Sequence, residues 1–348
     1  MVDLPSNPFL QYYSPSAANP FDITLQQAIG YDLINITLPA ERIENLTSEI
    51  LPAYEWTAGF LVDALKKHLS HSLPRLLDLG SGTGAATRML YRGFPQAEIT
   101  AIEISKNMLE LARYKFAQVS RSHFHNQTEQ VLPQPIPERL EHYWNSVSSE
   151  VSRAQVEFKH SNIRNLDIIL SVSYDGAIAN HSLHWLGDDL HSFFKTVSTV
   201  LKPKAPLVWN TALDFVDSKH YPARDYSARY NRFIGLVSEK LIHKGYALSD
   251  YQEFRKPRWT LKDISAMAEE NGFSFSLQGE ILVRRDYNRL ITFDLPLFIA
   301  STLTSFPLKD VETLARRTAA EVIAERPDFG ADLEHLYDVN PIFIFQKK

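Results

Sequence analysis

The stretch Arg75-Leu76-Leu77-Asp78-Leu79-Gly80-Ser81-Gly82-Thr83-Gly84 constrains this chain more than any other. A short apolar run broken by glycine at alternate positions predicts a buried strand that turns sharply into a helix opening at Ala85. Such a turn leaves the first N–H groups of the helix unpaired and lets a ligand lie against them. The next segment agrees with an α/β reading. Ala97–Glu103 reads as a second strand ending in an acid, and Ser105 is placed to cap a helix whose apolar face is Met108, Leu109, Leu111 and Ala112. Strand, helix, strand, helix at this spacing predicts a parallel sheet with a nucleotide-type site at the turn.

Further along, residues 1–22 read as an irregular, proline-rich arm, and Leu51 to Leu69 has mostly helical spacing. Residues 118–154 interrupt the alternation and read as an insertion, with polar clusters such as Ser122–Gln127 and a short helix near Glu138–Val147. Val156–Phe158, Tyr174–Ala179 and Leu207–Trp209 predict strands three to five, with a helix from Asp188 to Leu201. Helices are expected near Ala228–Lys244, Leu261–Asn271 and Lys309–Ala324, with strands at Phe273–Val283 and Pro341–Phe345. The organisation predicted is an N-terminal arm or lid over 1–50, then one domain over 51–348 with the insertion 118–154 and a cap over 213–260.

Composition narrows the function classes. A net charge of −5 argues against a general nucleic-acid binder. With no cysteine, disulfides, thiolate metal sites and cysteine nucleophiles are excluded. The N-terminus lacks the basic flank and apolar core of a signal peptide, and no run of apolar residues is long enough to span a bilayer. The expectation is a cytoplasmic protein, monomer or homodimer, acting on a small molecule without nucleic acid, membrane or metal. His181, His184 and His191 have spacings a metal could use, but no acid or fourth histidine accompanies them.

Glycine-rich turns of this kind also serve NAD and FAD proteins. Asp78, two residues before the first glycine, tilts the choice. A carboxylate there repels a pyrophosphate and attracts an ammonium or sulfonium group, which favours S-adenosylmethionine. Glu103 is placed to accept both ribose hydroxyls, a role common to both cofactor classes.

Leu77–Gly84, Ile102–Met108 and Ala179-Asn180-His181-Ser182-Leu183-His184-Trp185-Leu186 together resemble a class I S-adenosylmethionine-dependent methyltransferase, and the last is similar to the trans-aconitate methyltransferase branch and its small-molecule relatives. The resemblance covers about 72–212 and implies a doubly wound, mostly parallel seven-stranded Rossmann-like sheet with an antiparallel last strand. It implies that Asp78, Gly80, Ser81 and Gly82 contact the methionine end, with Gly84 completing the turn, and that Glu103 holds the ribose. Ile104 and Met108 would pack on the adenine, Asn162 and Ile163 would read its edge, and the backbone at Asn180 would face the methionine amino group. The family usually has aspartate at the Asn162 position.

His181 ends the fourth strand, where a candidate base or acceptor contact would sit. His184 is the second candidate histidine, although it belongs to the family's usual pattern. Tyr54, Trp56, Trp185 and Trp209 are candidate aromatic walls near the transferred methyl. Residues 219–258 carry nine basic side chains against four acidic ones, interleaved with aromatics, which suits a cap over an anionic acceptor with a flat or greasy body. The expected activity is methylation of a small acidic metabolite or secondary-metabolite precursor, at a carboxylate oxygen or elsewhere. Alternatives are C-methylation of an isoprenoid diphosphate, an NAD(P)-dependent oxidoreductase, and a non-catalytic cofactor-binding α/β protein.

Overall fold

The computed structural model describes residues 25–37, 51–69, 73–131, 136–151, 154–211, 216–217, 224–246, 259–285, 295, 310–328 and 336–348. Its centre is a seven-stranded sheet: β1 (Arg75–Leu79), β2 (Glu98–Glu103), β3 (Gln155–His160), β4 (Gly176–Asn180), β5 (Pro206–Asn210), β6 (Phe273–Arg285) and β7 (Leu336–Lys347). The spatial order is β3-β2-β1-β4-β5-β7-β6. β1 to β5 are mutually parallel, and β7 runs antiparallel to both β5 and β6. The expected sheet, with its antiparallel closing strand, is therefore the sheet found. Residues 1–22 of the expected arm lie outside the described residues.

Helices cover both faces, so β1, β4 and β5 read as near-continuous apolar runs. Leu76, Ile99, Ile178, Val208 and Ile344 pack against α2 (Ala53–Lys66) and α3 (Ala85–Gly93). Leu77, Leu79, Ala177, Ala179, Leu207, Trp209, Phe343 and Phe345 face α7 (Leu190–Val200) and α9 (Leu261–Glu270). Of the remaining helices, α8 (Arg224–His243) packs on α10 (Val311–Glu325).

A further cluster forms beside this sandwich. There α1 (Leu25–Thr37), α4 (Lys106–Lys115), α5 (Arg121–Val131) and α6 (Glu138–Val151) bury Ile29, Leu33, Leu111, Tyr114, Phe124, Leu140 and Trp144 together. The insertion thus holds two helices, where the sequence predicted one short helix and polar loop. The polar stretch Ser122–Gln127 is helical because one anchor suffices: Phe124 stacks on Tyr114, centroids 4.1 Å apart, and meets the edge of Trp144. So little apolar periodicity hides the helix from a pattern reading.

The connections leave β1 in opposite directions, toward β2 and β3 on one side and β4 and β5 on the other. That reversal opens a crevice beyond the C-terminal ends of β1 and β4, the usual ligand site of such sheets.

Candidate active site

At the end of β1 the chain turns under tight backbone control. The N–H groups of Gly80 and Ser81 both donate to the Ile102 carbonyl, at 2.9 and 3.0 Å, and the Gly84 N–H donates to the Ser81 carbonyl. Gly80 and Gly84 have φ of +77° and +89°, the left-handed region that disfavours a side chain. A Cβ on Gly80 would lie 2.5 Å from Ser182 Cβ, and one on Gly84 3.1 Å from the Phe116 ring. A Cβ on Gly82 would make an ordinary contact with Met108 Sδ at 3.9 Å, so this point of the turn is less crowded than Gly80 and Gly84.

Two buried carboxyl groups flank the turn. Asp78 Oδ2 accepts from Thr87 Oγ1 at 2.6 Å, while Oδ1 has no hydrogen-bond partner. Burial pushes the Asp78 carboxyl up to about 7; the Thr87 hydroxyl pulls it back and the Glu103 charge adds to the rise. Glu103 bridges strand and turn, accepting from the Gly82 N–H at 2.8 Å and the Ser105 N–H at 2.7 Å. Burial raises its pKa, and these backbone donors oppose the rise.

These residues fit S-adenosylmethionine. Asp78 Oδ1 and Ser81 Oγ are buried acceptors lacking a donor, each costing about 1–3 kcal/mol until one arrives. An ammonium group offers such donors together with the opposite charge. The Glu103 carboxylate, beside the less crowded Gly82, suits a ribose diol.

On the expected adenine side, Ile104 and Met108 are half-buried, and the Ile104 carbonyl accepts from His160 Nε2 at 2.9 Å. Asn162 has a local role as well. Its Oδ1 accepts from the Arg164 N–H at 2.9 Å and caps the single 3-10 turn Ile163–Asn165, so that oxygen already has a partner. Ile163 packs against the apolar core.

The end of β4 gathers residues distant in sequence. Asn180 Nδ2 donates to the Tyr54 carbonyl at 3.0 Å, and its Oδ1 accepts from Thr57 Oγ1 at 3.1 Å. His181 sits at φ +52°, a conformation unusual for a non-glycine residue and worth a functional reading. Asn210, paired with Asn180 across β4 and β5, holds it there: the His181 N–H donates to Asn210 Oδ1 at 3.0 Å and to the Asn210 carbonyl at 3.3 Å. The Tyr54 ring meets the His181 ring edge-on, centroids 6.0 Å apart. Tyr54, Asn180 and His181 therefore lie together at the end of β4.

Three other expected residues are placed differently. Trp209 is fully buried in mid-sheet against Phe343 and Phe345, because β5 is covered on both faces. Trp56 lies in the core under α2, edge-on to Phe60. His184 is buried, with Nδ1 3.1 Å from Thr211 Oγ1; burial, then neighbouring His181, hold its pKa well below the usual histidine value, so it stays neutral. The Trp185 side chain lies outside the described residues.

The cap is also less basic than its sequence. Lys240 pairs with Glu325, and Lys244 with Glu321, both acids on α10. Lys219, Arg255, Lys256 and Arg258 lie outside the described residues, as do the side chains of Arg224 and Arg229.

Sequence reasoning missed Asp32, Asn35, Thr57 and Asn210. Asn210 carries a signal in retrospect, as a polar residue closing an apolar strand in register with Asn180. Asp32 and Asn35 carry only their i, i+3 spacing in a helix that also holds Gln26, Gln27 and Thr37.

Residues 77–207 match the protein family described as a methyltransferase domain. The chain is 42% identical over 250 residues to a malonyl-(acyl-carrier protein) O-methyltransferase of Halalkalibacterium halodurans, a match covering 66% of this chain and 79% of that protein. It is 26% identical over 151 residues to a protein of the same name from Priestia megaterium, covering 43% of this chain and spanning 41% of the relative's length. Among solved structures, the cyclopropane synthase MmaA2 from Mycobacterium tuberculosis superposes with a TM-score of 0.49 at 15% identity, over 94% of this chain and 99% of that one.

Proposed function

This chain belongs to the class I S-adenosylmethionine-dependent methyltransferases, and we propose that it methylates a small, anionic, partly apolar or aromatic acceptor at a carboxylate oxygen. The observation that carries the cofactor half is Asp78, a buried carboxyl with an unpartnered oxygen beside the glycine turn. The name of the Halalkalibacterium relative supports the carboxylate half, since a malonyl group ends in a carboxylate.

When bound, the cofactor supplies a methyl group on positively charged sulfur, already activated for transfer. The chain's own work is then to bind, align and keep out water, and alignment is worth about 7–11 kcal/mol of a barrier. In this reading Asp78, with Ser81, Gly80 and Gly82, holds the ammonium and carboxylate end, and Glu103 accepts the ribose hydroxyls. Ile104, Met108 and Ile163 flank the adenine, with Asn162 serving its turn as a cap, and the Asn180 backbone faces the amino group. Tyr54 and His181 form the acceptor wall. A carboxylate carries no proton at neutral pH, so His181 orients the acceptor rather than acting as a base.

The same reading keeps 1–50 as an arm, 51–348 as one catalytic domain with insertion 118–154 and cap 213–260, and a cytoplasmic monomer or homodimer that uses no nucleic acid. The net charge of −5 supports the last point. Among the described residues, no helix is long and apolar enough to cross a membrane.

The test is release of S-adenosylhomocysteine when the protein meets S-adenosylmethionine and a panel of malonyl thioesters, free dicarboxylic acids and aromatic carboxylates. Turnover with a carboxylate is expected. Methylation confined to hydroxyl, amine or carbon acceptors would overturn the acceptor, and failure to bind the cofactor would overturn the whole reading.

A further inference from the structure

Helix α1 is joined to the site at two points on one face. Asp32 is buried, and its Oδ1 accepts from the hydroxyl of Thr83, inside the glycine turn, at 2.5 Å. Its Oδ2 accepts from Lys115 Nζ at 2.8 Å and from Trp144 Nε1 at 2.7 Å. Lys115 is itself 1% exposed and ends α4, and Trp144 belongs to insertion helix α6. Three residues on, buried Asn35 accepts from the Tyr54 N–H at 2.8 Å, and the carbonyl of Tyr54 accepts from Asn180. Residues three apart share a helix face, so one turn of α1 touches both the cofactor turn and the acceptor wall.

The insertion is tied in a second way. Buried Glu55 takes both oxygens to Arg88 Nη1, at 3.1 and 3.0 Å, and accepts from Tyr143 Oη of α6. Arg88 and Arg92 of α3 share Glu150 of α6. Buried charges of this kind are costly unless fully paired, so they hold their elements in one arrangement.

We infer that Asp32 is a positioning residue: through Thr83 it makes the shape of the cofactor turn depend on the docking of α1 and insertion helix α6, and through α1 and Asn35 it links that turn to Tyr54. This rests on the reading that the turn binds S-adenosylmethionine. Linkage requires reciprocity, so cofactor binding must in turn tighten α1 on the domain.

The test uses the full chain and S-adenosylhomocysteine, with affinity read by calorimetry and backbone exchange by mass spectrometry. In the unmodified protein the ligand slows exchange over residues 28–35. Thr83→Val, which removes only a hydroxyl acting on Asp32, loses that slowing while still binding. Asp32→Asn weakens binding about tenfold in the natural background but less than about twofold when Thr83 is already valine. Additive losses in the double variant, or undiminished slowing in Thr83→Val, overturn the inference. Should Asp32→Asn fail to fold, the exchange result with Thr83→Val decides alone. An unmodified protein that does not bind S-adenosylhomocysteine at all would instead sink the cofactor reading on which the inference stands.

Discussion

The cofactor turn draws Asp78, its glycines, Glu103 and Met108 from one unbroken strand–turn–helix–strand–helix run, whereas the acceptor wall collects Tyr54 from α2, Asn180 and His181 from the end of β4, and Asn210 from β5. The first is held by backbone hydrogen bonds and by glycines pressed against their neighbours. The second is held by side-chain amides reaching across elements. Damage at the turn should therefore strike stability and cofactor affinity together. Damage at the wall should spare both and reach only turnover.

The hardest test of that contrast is Gly80→Ala. Its methyl group would meet Ser182 at 2.5 Å in a backbone conformation that already disfavours it. A loss of about 3 kcal/mol in chemical denaturation is expected, with S-adenosylhomocysteine binding undetectable by calorimetry. Asp78→Asn comes next and separates charge from shape. It keeps the volume but removes the anion, and affinity is expected to fall about 100-fold with little loss of fold.

The pH dependence sharpens the same point. The Asp78 carboxyl is raised in the folded, ligand-free protein to about 7, from 3.8. A raised carboxyl pKa contributes stability fully present below the unfolded value, and this is lost as pH rises through 7. Ligand-free protein should therefore lose stability between about pH 4 and 7 relative to Asp78→Asn, as urea midpoints would show. Cofactor affinity should move the other way. A cation requires the ionised carboxylate, so binding below pH 7 must release a proton and weaken by up to about tenfold per pH unit. Calorimetry in buffers of different ionisation enthalpy reads that proton, and a flat profile would remove Asp78 from the cation site.

At the acceptor wall, His181→Ala is expected to lower kcat about 100-fold through misplacement alone, with the S-adenosylhomocysteine Kd unchanged within about twofold. Equal losses in both would erase the distinction between the two halves. The smallest effect belongs to the cap: Lys240→Ala removes a partly exposed pair with Glu325 and should cost less than about 1 kcal/mol in thermal unfolding.

The turn was legible because its requirements are local. Three glycines at alternate positions, an acid before them and an acid closing the next strand lie within one stretch, and each answers to backbone geometry or to a charge beside it. The succession of strands β1 to β5 followed from the same alternation of pattern, and the antiparallel closing strand from the family resemblance. Pattern failed where a single contact carried an element, as with Phe124 and the helix around it, or where identity alone suggested exposure, as with Trp56 and Trp209. An indole reads the same in a binding wall and in a core, and only the coverage of both sheet faces places these rings inside. His181 and His184 were both candidate histidines in the sequence; in the fold one is a buried neutral group, and Asn210 holds the other at the end of β4.

By itself, then, the sequence determined the sheet, the turn and the charge that a cofactor must bring, since these depend on neighbours along the chain. Tertiary structure decided what stands around them. The partners of Asp32, Asn35, Glu55 and Asn210 lie 19 to 112 residues away. Buried polar groups must find donors and acceptors wherever the fold brings them. No spacing rule encodes such meetings, so the insertion's link to the glycine turn became visible only when α1, α4 and α6 closed around one carboxylate.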